Sequence, residues 1–332
     1  MESTAARSPS DCASVRVTPV RHVRVAEVVR SGFIEGEHHG SVVAVAPDGS
    51  VLWSVGTVDE PVFPRSCNKP VQAAAMVRAG LPLRGRLLAL ACASHSGEPF
   101  HLEGVSSILT AAGVAESALQ TPPDWPIDEI ERATWKGDDR APVPLAMNCS
   151  GKHAAMLATC VVNGWDVADY PDPHHPLQRH LAAVFAELTG ETIEATGVDG
   201  CGAPLFSASL TGLARAFGRL VQSPAGSAEK DVADAISGNP EYASGTRRDE
   251  AALIRAYPGA IAKAGAEACY AVALSDGTAV ALKIADGGAR ARPVVMAAAL
   301  RRLGYDDPVL DEVGVHVLTG GTQPVGCVRA SL

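Results

Sequence analysis

The 332-residue sequence has no apolar run near the roughly 20 residues that a membrane-spanning helix needs, so no segment is expected to cross a bilayer. It has no excess of positive charge either. The 28 Lys and Arg stand against 37 Asp and Glu, a formal net charge of -9, which argues against nucleic acid or an anionic membrane as the main partner. Internal repeats, coiled-coil heptads and long low-complexity segments are missing. Residues 1–18 hold no continuous hydrophobic stretch, so a secretory signal is not expected there. We expect residues 1–20 to be a disordered tail ahead of one composite domain, 21–332. Without export, the eight cysteines read as thiols or metal ligands rather than a disulfide framework, and the cytoplasm is the expected compartment.

What is present is an ordinary soluble composition, 47% hydrophobic and 20% charged. Two alternating apolar stretches read as hairpins: 41–46 with 51–55 across Pro47-Asp48-Gly49, and 269–274 with 279–284 across Ser275-Asp276-Gly277-Thr278. Residues 22–30 read as a further strand beside the first hairpin. Between them lie Ala- and Leu-rich segments with helical spacing at 70–79, 100–112, 152–163, 177–188 and 204–221, and 293–303 follows the second hairpin. Strands near both termini with helices between them predict an α+β sandwich, one antiparallel sheet covered by helices.

Several motifs could carry chemistry. In Arg65-Ser66-Cys67-Asn68-Lys69-Pro70, Ser66 and Lys69 are three residues apart at an expected helix start, where they can share a face. A neutral lysine amine can take the proton of such a serine, and the positive end of the helix favours both the neutral amine and a developing alkoxide. Cys92-Ala93-Ser94-His95-Ser96-Gly97 offers Ser94 as a second hydroxyl and His95 as a proton shuttle, with turn and cap chemistry as the alternative. Asn148-Cys149-Ser150-Gly151-Lys152-His153 opens a helix but is not a phosphate loop, because its first glycine is missing and His153 replaces Ser or Thr. Cys149 and Lys152 can share a helix face, and Cys201 lies in a glycine-rich loop. Each thiol could ligate a metal or simply pack in the core. Lys263-Ala264-Gly265 combines a cationic head with open backbone suited to a carboxylate, or is a surface turn. His174-His175 could ligate a metal but reads better as the start of the helix near Leu177, and Thr319-Gly320-Gly321 reads as a flexible polar loop.

Taken together, Arg65-Ser66-Cys67-Asn68-Lys69-Pro70-Val71-Gln72, Cys92-Ala93-Ser94-His95-Ser96, Asn148-Cys149-Ser150-Gly151-Lys152-His153 and Asp199-Gly200-Cys201 resemble the L-asparaginase II family of Rhizobium etli type, in the family's order. The resemblance implies a fold similar to serine β-lactamases and penicillin-binding proteins, and hydrolysis of L-asparagine to L-aspartate and ammonia. It implies two catalytic serine–lysine pairs, Ser66 with Lys69 and Ser94 with Lys263. It further implies zinc at Cys149, Lys152 and Cys201 with Asp199 close by, and a homodimer. No Ser-Asp-Asn box is present and the third box reads Lys-Ala-Gly, so β-lactam turnover is not expected. Arg65, His95 and Asp199 are expected around the substrate's charged groups. The rival expectations are a serine glutaminase or β-lactamase-like esterase, and a non-enzymatic zinc- or thiol-based redox sensor.

Overall fold

The structure, a computed structural model, describes residues 21–332; the tail expected over 1–20 lies outside the described residues. The strands are β1 (Val23–Arg30), β2 (Phe33–Val45), β3 (Val51–Val55), β4 (Thr196–Val198), β5 (Pro204–Phe206), β6 (Ile261–Ala264), β7 (Cys269–Ala273), β8 (Ala279–Ile284), β9 (His316–Gly320) and β10 (Gln323–Ala330). The α-helices are α1 (Lys69–Arg78), α2 (Gly85–Ala91), α3 (Pro99–Ala111), α4 (Glu129–Gly137), α5 (Ser150–Asn163), α6 (Pro176–Thr189), α7 (Leu210–Gln222), α8 (Ala228–Gly238), α9 (Pro240–Ala243), α10 (Asp249–Ala256), α11 (Ala291–Arg302) and α12 (Val309–Val313).

Eight strands form one sheet in the order β6-β7-β8-β2-β1-β10-β9, with β3 also paired to β2, and every ladder is antiparallel. The long β2 joins the two ends of the chain. Its first half pairs with β1, Glu37 facing Glu27, and its second half pairs with β8, Val43 facing Ala281. β7 and β8 are buried almost throughout, because α7 lies against them and β2, and α11 lies against β8 and β10. Strands covered on both faces read as continuous apolar runs, as these do. The α+β sandwich expected from the sequence is what the chain forms.

The two expected hairpins and the strand before them form as anticipated, as do the helices expected at 70–79, 100–112, 152–163, 177–188 and 293–303, within two residues at each end. The helix expected over 204–221 does not. Residues 204–206 pair with β4 as a two-stranded ribbon, and the helix starts only after Ser209, whose hydroxyl accepts from the Gly212 N–H and caps it. The loop expected at Thr319-Gly320-Gly321 is instead the end and turn of the β9–β10 hairpin. Among the described residues no helix is long and apolar enough to cross a membrane, and all seven described cysteines are unbridged.

Candidate active site

Arg65–Asn68 form a single 3-10 turn that runs directly into α1 at Lys69. Arg65 sits at φ 54°, a left-handed conformation that costs a side-chain-bearing residue energy unless its surroundings enforce it. Here they do. Arg65 Nε donates to Asp199 Oδ1 at 2.8 Å, Cys67 Sγ to the Lys263 carbonyl at 3.0 Å, and Asn68 Nδ2 to the Phe206 carbonyl at 3.1 Å. Gly265 completes the arrangement. A Cβ at that position would stand 2.5 Å from the Pro64 carbonyl oxygen, so only glycine lets the chain leaving β6 lie against the serine turn.

Lys69 is buried, and its amine donates to the Ala93 carbonyl at 2.6 Å and to Ser94 Oγ at 2.9 Å. The expected reach to Ser66 is not made as a hydrogen bond among the described residues. The amine turns instead to the two oxygens offered where the chain leaves α2. Lys263 lies within β6 rather than in an exposed turn, is 2% exposed, and donates to the Ala264 carbonyl at 2.6 Å rather than to Ser94. Burial pulls its amine down to about 8; Glu250 opposes that shift and the neighbouring Lys69 adds to it.

Ser66 and Ser94 both face one cavity of about 320 Å³, bordered also by Asn148, Arg248, Glu267 and Arg292. The two arginines were not singled out from the sequence. Arg248 donates through Nε and Nη2 to the two carboxylate oxygens of Glu250, each at 3.1 Å, and Arg292 donates through Nη2 to Asp249 at 3.0 Å. Glu250 is fully buried. Burial alone would raise its carboxyl, but Arg248, Lys263 and Arg292 together hold it well below the usual carboxylate range. Arg248 precedes α10 and Arg292 lies in the first turn of α11, positions that look like ordinary helix ends in a sequence, so only the fold reveals that they border one cavity.

Arg65, Asp199 and His95 are not among the cavity's lining residues. Arg65 and Asp199 pair with each other beside Ser66. His95 is completely buried, with Nε2 2.8 Å from Ser150 Oγ and its ring stacked on His101 at 5.2 Å. It fastens the Ser94 segment to the start of α5.

That helix start carries the thiol cluster. Cys149 is the N-cap of α5, Lys152 lies in its first turn, and the Lys152 amine donates to Cys201 Sγ at 3.2 Å. All three are at least 97% buried. The neighbouring Cys149 thiol, whose Sγ donates to Asn148 Oδ1 at 3.2 Å, and the Lys152 charge push the Cys201 thiol below its ordinary value, and the Cys149 thiol rises correspondingly. The Lys152 ammonium is opposed by burial, but the Cys201 thiolate, Cys149 and Asp199 outweigh that and raise it. His153 adds a buried Nε2 with no hydrogen-bond partner among the described residues, its Nδ1 being 2.7 Å from Tyr170 Oη. Among those residues no three His, Cys, Asp or Glu form a metal-sized group. The Cys149 and Cys201 sulfurs would suit a soft divalent cation, and the Lys152 nitrogen would join them only after giving up the proton it donates to Cys201.

A serine hydroxyl hydrogen-bonded to a buried lysine stands at the wall of a cavity that also presents a second serine, an arrangement compatible with an amidohydrolase. Residues 26–330 match the L-asparaginase II family, and the chain belongs to it. No curated protein matches the chain. Among solved structures it is similar to a β-lactamase from Mycobacterium bovis, at 14% identity over 79% of this chain and 94% of that one, with a TM-score of 0.44. It is also similar to a Bacillus subtilis glutaminase in covalent complex with 5-oxo-L-norleucine, at 12% identity over 84% and 92% of the two chains, with a TM-score of 0.38.

Proposed function

We propose that the chain hydrolyses the side-chain amide of L-asparagine, giving L-aspartate and ammonia. The observation that supports this most is the 2.9 Å contact between Lys69 Nζ and Ser94 Oγ in a cavity that also presents Ser66. In this reading the Ser66 oxygen attacks the amide carbon while its proton passes to the Lys69–Ser94 pair. The C–N bond then breaks as that proton reaches the departing nitrogen, leaving ammonia and an aspartyl ester on Ser66. Water attacks the ester carbon, its proton returns through the same pair, and Ser66 is regenerated with release of aspartate. Lys263, with its pKa lowered to about 8, supplies a nearby amine that is largely neutral above that pH.

The same contact favours a second reading, in which Ser94 attacks with Lys69 as its base and Ser66 assists. A diazoketone analogue of asparagine separates them. Peptide mapping that finds the covalent adduct on Ser66 supports the first reading, an adduct on Ser94 supports the second, and no adduct on either with no ammonia release overturns both.

Zinc belongs to the proposal. Cys149, Cys201 and Lys152 would hold it, and when bound it would supply a positive centre that orients substrate. The reading as a redox sensor built on Cys67, Cys149 and Cys201 is disfavoured because all three thiols are buried, whereas sensor thiols are accessible to oxidants. An assay of ammonia release from asparagine and glutamine, with a chromogenic ester alongside, separates asparaginase from glutaminase and esterase. A homodimer in the cytoplasm completes the proposal, and sedimentation of the purified chain tests the dimer.

A further inference from the structure

One stretch of the chain stands apart from the sandwich and yet reaches the serine cavity. Residues 124–143 leave and rejoin the body at one point. There the Asp124 N–H donates to the Val143 carbonyl at 3.3 Å and the Val143 N–H to the Asp124 carbonyl at 3.1 Å. Within 127–143 only Trp135 is buried, and the Arg140 guanidinium carbon stacks 3.5 Å from its ring centroid. Trp125 closes the unit from the other end, its Nε1 donating to the Arg140 carbonyl at 3.4 Å and its ring centroid 5.1 Å from the Lys136 amine. Arg132 Nε donates to the Pro126 carbonyl at 2.9 Å. The excursion thus packs largely on itself around α4, with its two ends joined. Such a unit can swing about the Asp124–Val143 stem without unfolding.

What ties it to the rest of the protein is chiefly polar. Arg247 donates through Nε to Asp128 Oδ2 at 3.0 Å, and through Nη2 to Asp128 Oδ1 at 2.7 Å and Glu131 Oε1 at 3.0 Å. The Asp128 N–H donates to the Ser96 carbonyl at 3.1 Å, and Pro126 packs on Gly97. The body's half of the ion pair is fixed, because Thr246 donates through its N–H and hydroxyl to the Glu98 carboxylate at 2.9 and 2.7 Å. The excursion's half does not need Arg247 for its helix. Asp128 Oδ1 caps α4 by accepting from the Ile130 and Glu131 N–H groups.

This contact stands beside the cavity on both of its sides. Ile127 lines the space that Ser66 and Ser94 face, and the next residue, Asp128, is the one Arg247 grips. Arg248, which follows Arg247, lines the same space. Releasing the fork therefore frees a piece of the cavity wall. The Arg247 side chain is 40% exposed, so the pair is weak and yields to salt, as a contact that opens and closes must.

We infer that residues 124–143 form a gate at one side of the serine cavity, latched in this structure, with Arg247 as the latch and Ile127 as the moving part of the wall. Opening widens the way in and out, and closure limits bulk water around the serines. The inference rests on the amidohydrolase reading for what passes the gate, and not for the gate itself.

The test follows backbone hydrogen exchange in the full chain and in Arg247→Ala. Amides of 127–142 should exchange about 10-fold faster in the variant, while those of α3 and α5 keep their wild-type rates. Raising NaCl from about 50 to about 500 mM should speed the same amides in wild type and leave Arg247→Ala unmoved. Arg247→Lys keeps the charge but loses the fork, and should fall between the two. Access to the cavity is read with a maleimide on Ser66→Cys, the labelled site being identified by peptide mapping. Adding Arg247→Ala should speed labelling at position 66 about 5-fold. Exchange in 127–142 equal to wild type, or raised equally throughout the molecule, overturns the gate. Faster exchange with an unchanged labelling rate also overturns it, because the motion would then not reach the cavity. Neither measurement needs turnover, so a wild type that releases no ammonia defeats the amidohydrolase reading and leaves the gate to be decided by these rates.

Discussion

The amine of Lys69 stands 2.9 Å from the hydroxyl oxygen of Ser94, a residue 25 positions further along the chain. Ser66, with which Lys69 shares its sequence motif, forms no hydrogen bond to it among the described residues. The lysine thus links the two serines of the cavity, donating to one while standing at the start of the helix that follows the other. In the proposed mechanism this one amine would move protons for both halves of the hydrolysis.

Ser94→Ala should lower kcat for ammonia release from asparagine by about 10²–10⁴, the range of a lost proton-transfer group, without a change in melting temperature. Ser66→Ala should abolish release with the fold equally intact. Turnover within twofold of wild type in either variant would make that serine a bystander.

The pH profile reports Lys263. Its pKa falls from the ordinary 10.5 to about 8, so the neutral amine accumulates as pH rises through that value. If the neutral form is needed, kcat/KM climbs with pH and levels off above about 8. Because Glu250 raises the Lys263 value, Glu250→Gln should shift the climbing limb to lower pH. A profile flat through this region excludes the role.

Glu250→Gln also has a stability cost. It leaves the Arg248 guanidinium without its buried carboxylate, and breaking a buried pair from one side costs about 3–5 kcal/mol. Urea denaturation of variant and wild type measures it, and a change below about 1 kcal/mol would show that solvent or Asp249 takes over the pairing.

Gly265→Ala places a methyl group 2.5 Å from the Pro64 carbonyl oxygen, with the Ser66 backbone nitrogen at 3.3 Å. The serine turn or the loop must yield, at about 1–3 kcal/mol. Activity should fall more than the stability loss explains, since the displaced atoms are those beside Ser66. Unfolding curves run alongside kinetics would reveal an unaltered kcat and so refute the contact's importance.

Cys149→Ala and Cys201→Ala should each reduce the zinc retained per chain from about one toward zero, as measured by elemental mass spectrometry, and weaken substrate affinity. Zinc content equal to wild type would remove these cysteines from the metal site.

Much of the fold was legible because alternation and helical spacing are local signals. β7 and β8 announced themselves through their valines, Tyr270 and the Asp276-Gly277 turn. β6 did not, since Ile261-Ala262-Lys263-Ala264 has little β-branched content and takes its conformation from pairing with β7. That is why Lys263 could be read as a surface turn when it is 2% exposed. The serines, lysines and cysteines stood out by type and spacing, but their partners did not. Spacing can put Lys69 within reach of Ser66; it cannot show that Ala93 and Ser94 pass close by. It was equally silent on Arg248 and Arg292, 44 residues apart by number yet bordering one cavity.

The pairing of β1 with β10, in which Ala26 faces Ala330, has a consequence for biosynthesis. An emerging chain holds β1 and β2 from early on, but one edge of β1 stays open until residue 330 has left the ribosome. Throughout that interval Val25, Ala26 and Val28, all fully or nearly fully buried in the finished sheet, flank an unpaired row of backbone donors and acceptors. The β1 edge can therefore be covered only after translation has passed β10, which leaves the early strands without their final partner for most of synthesis.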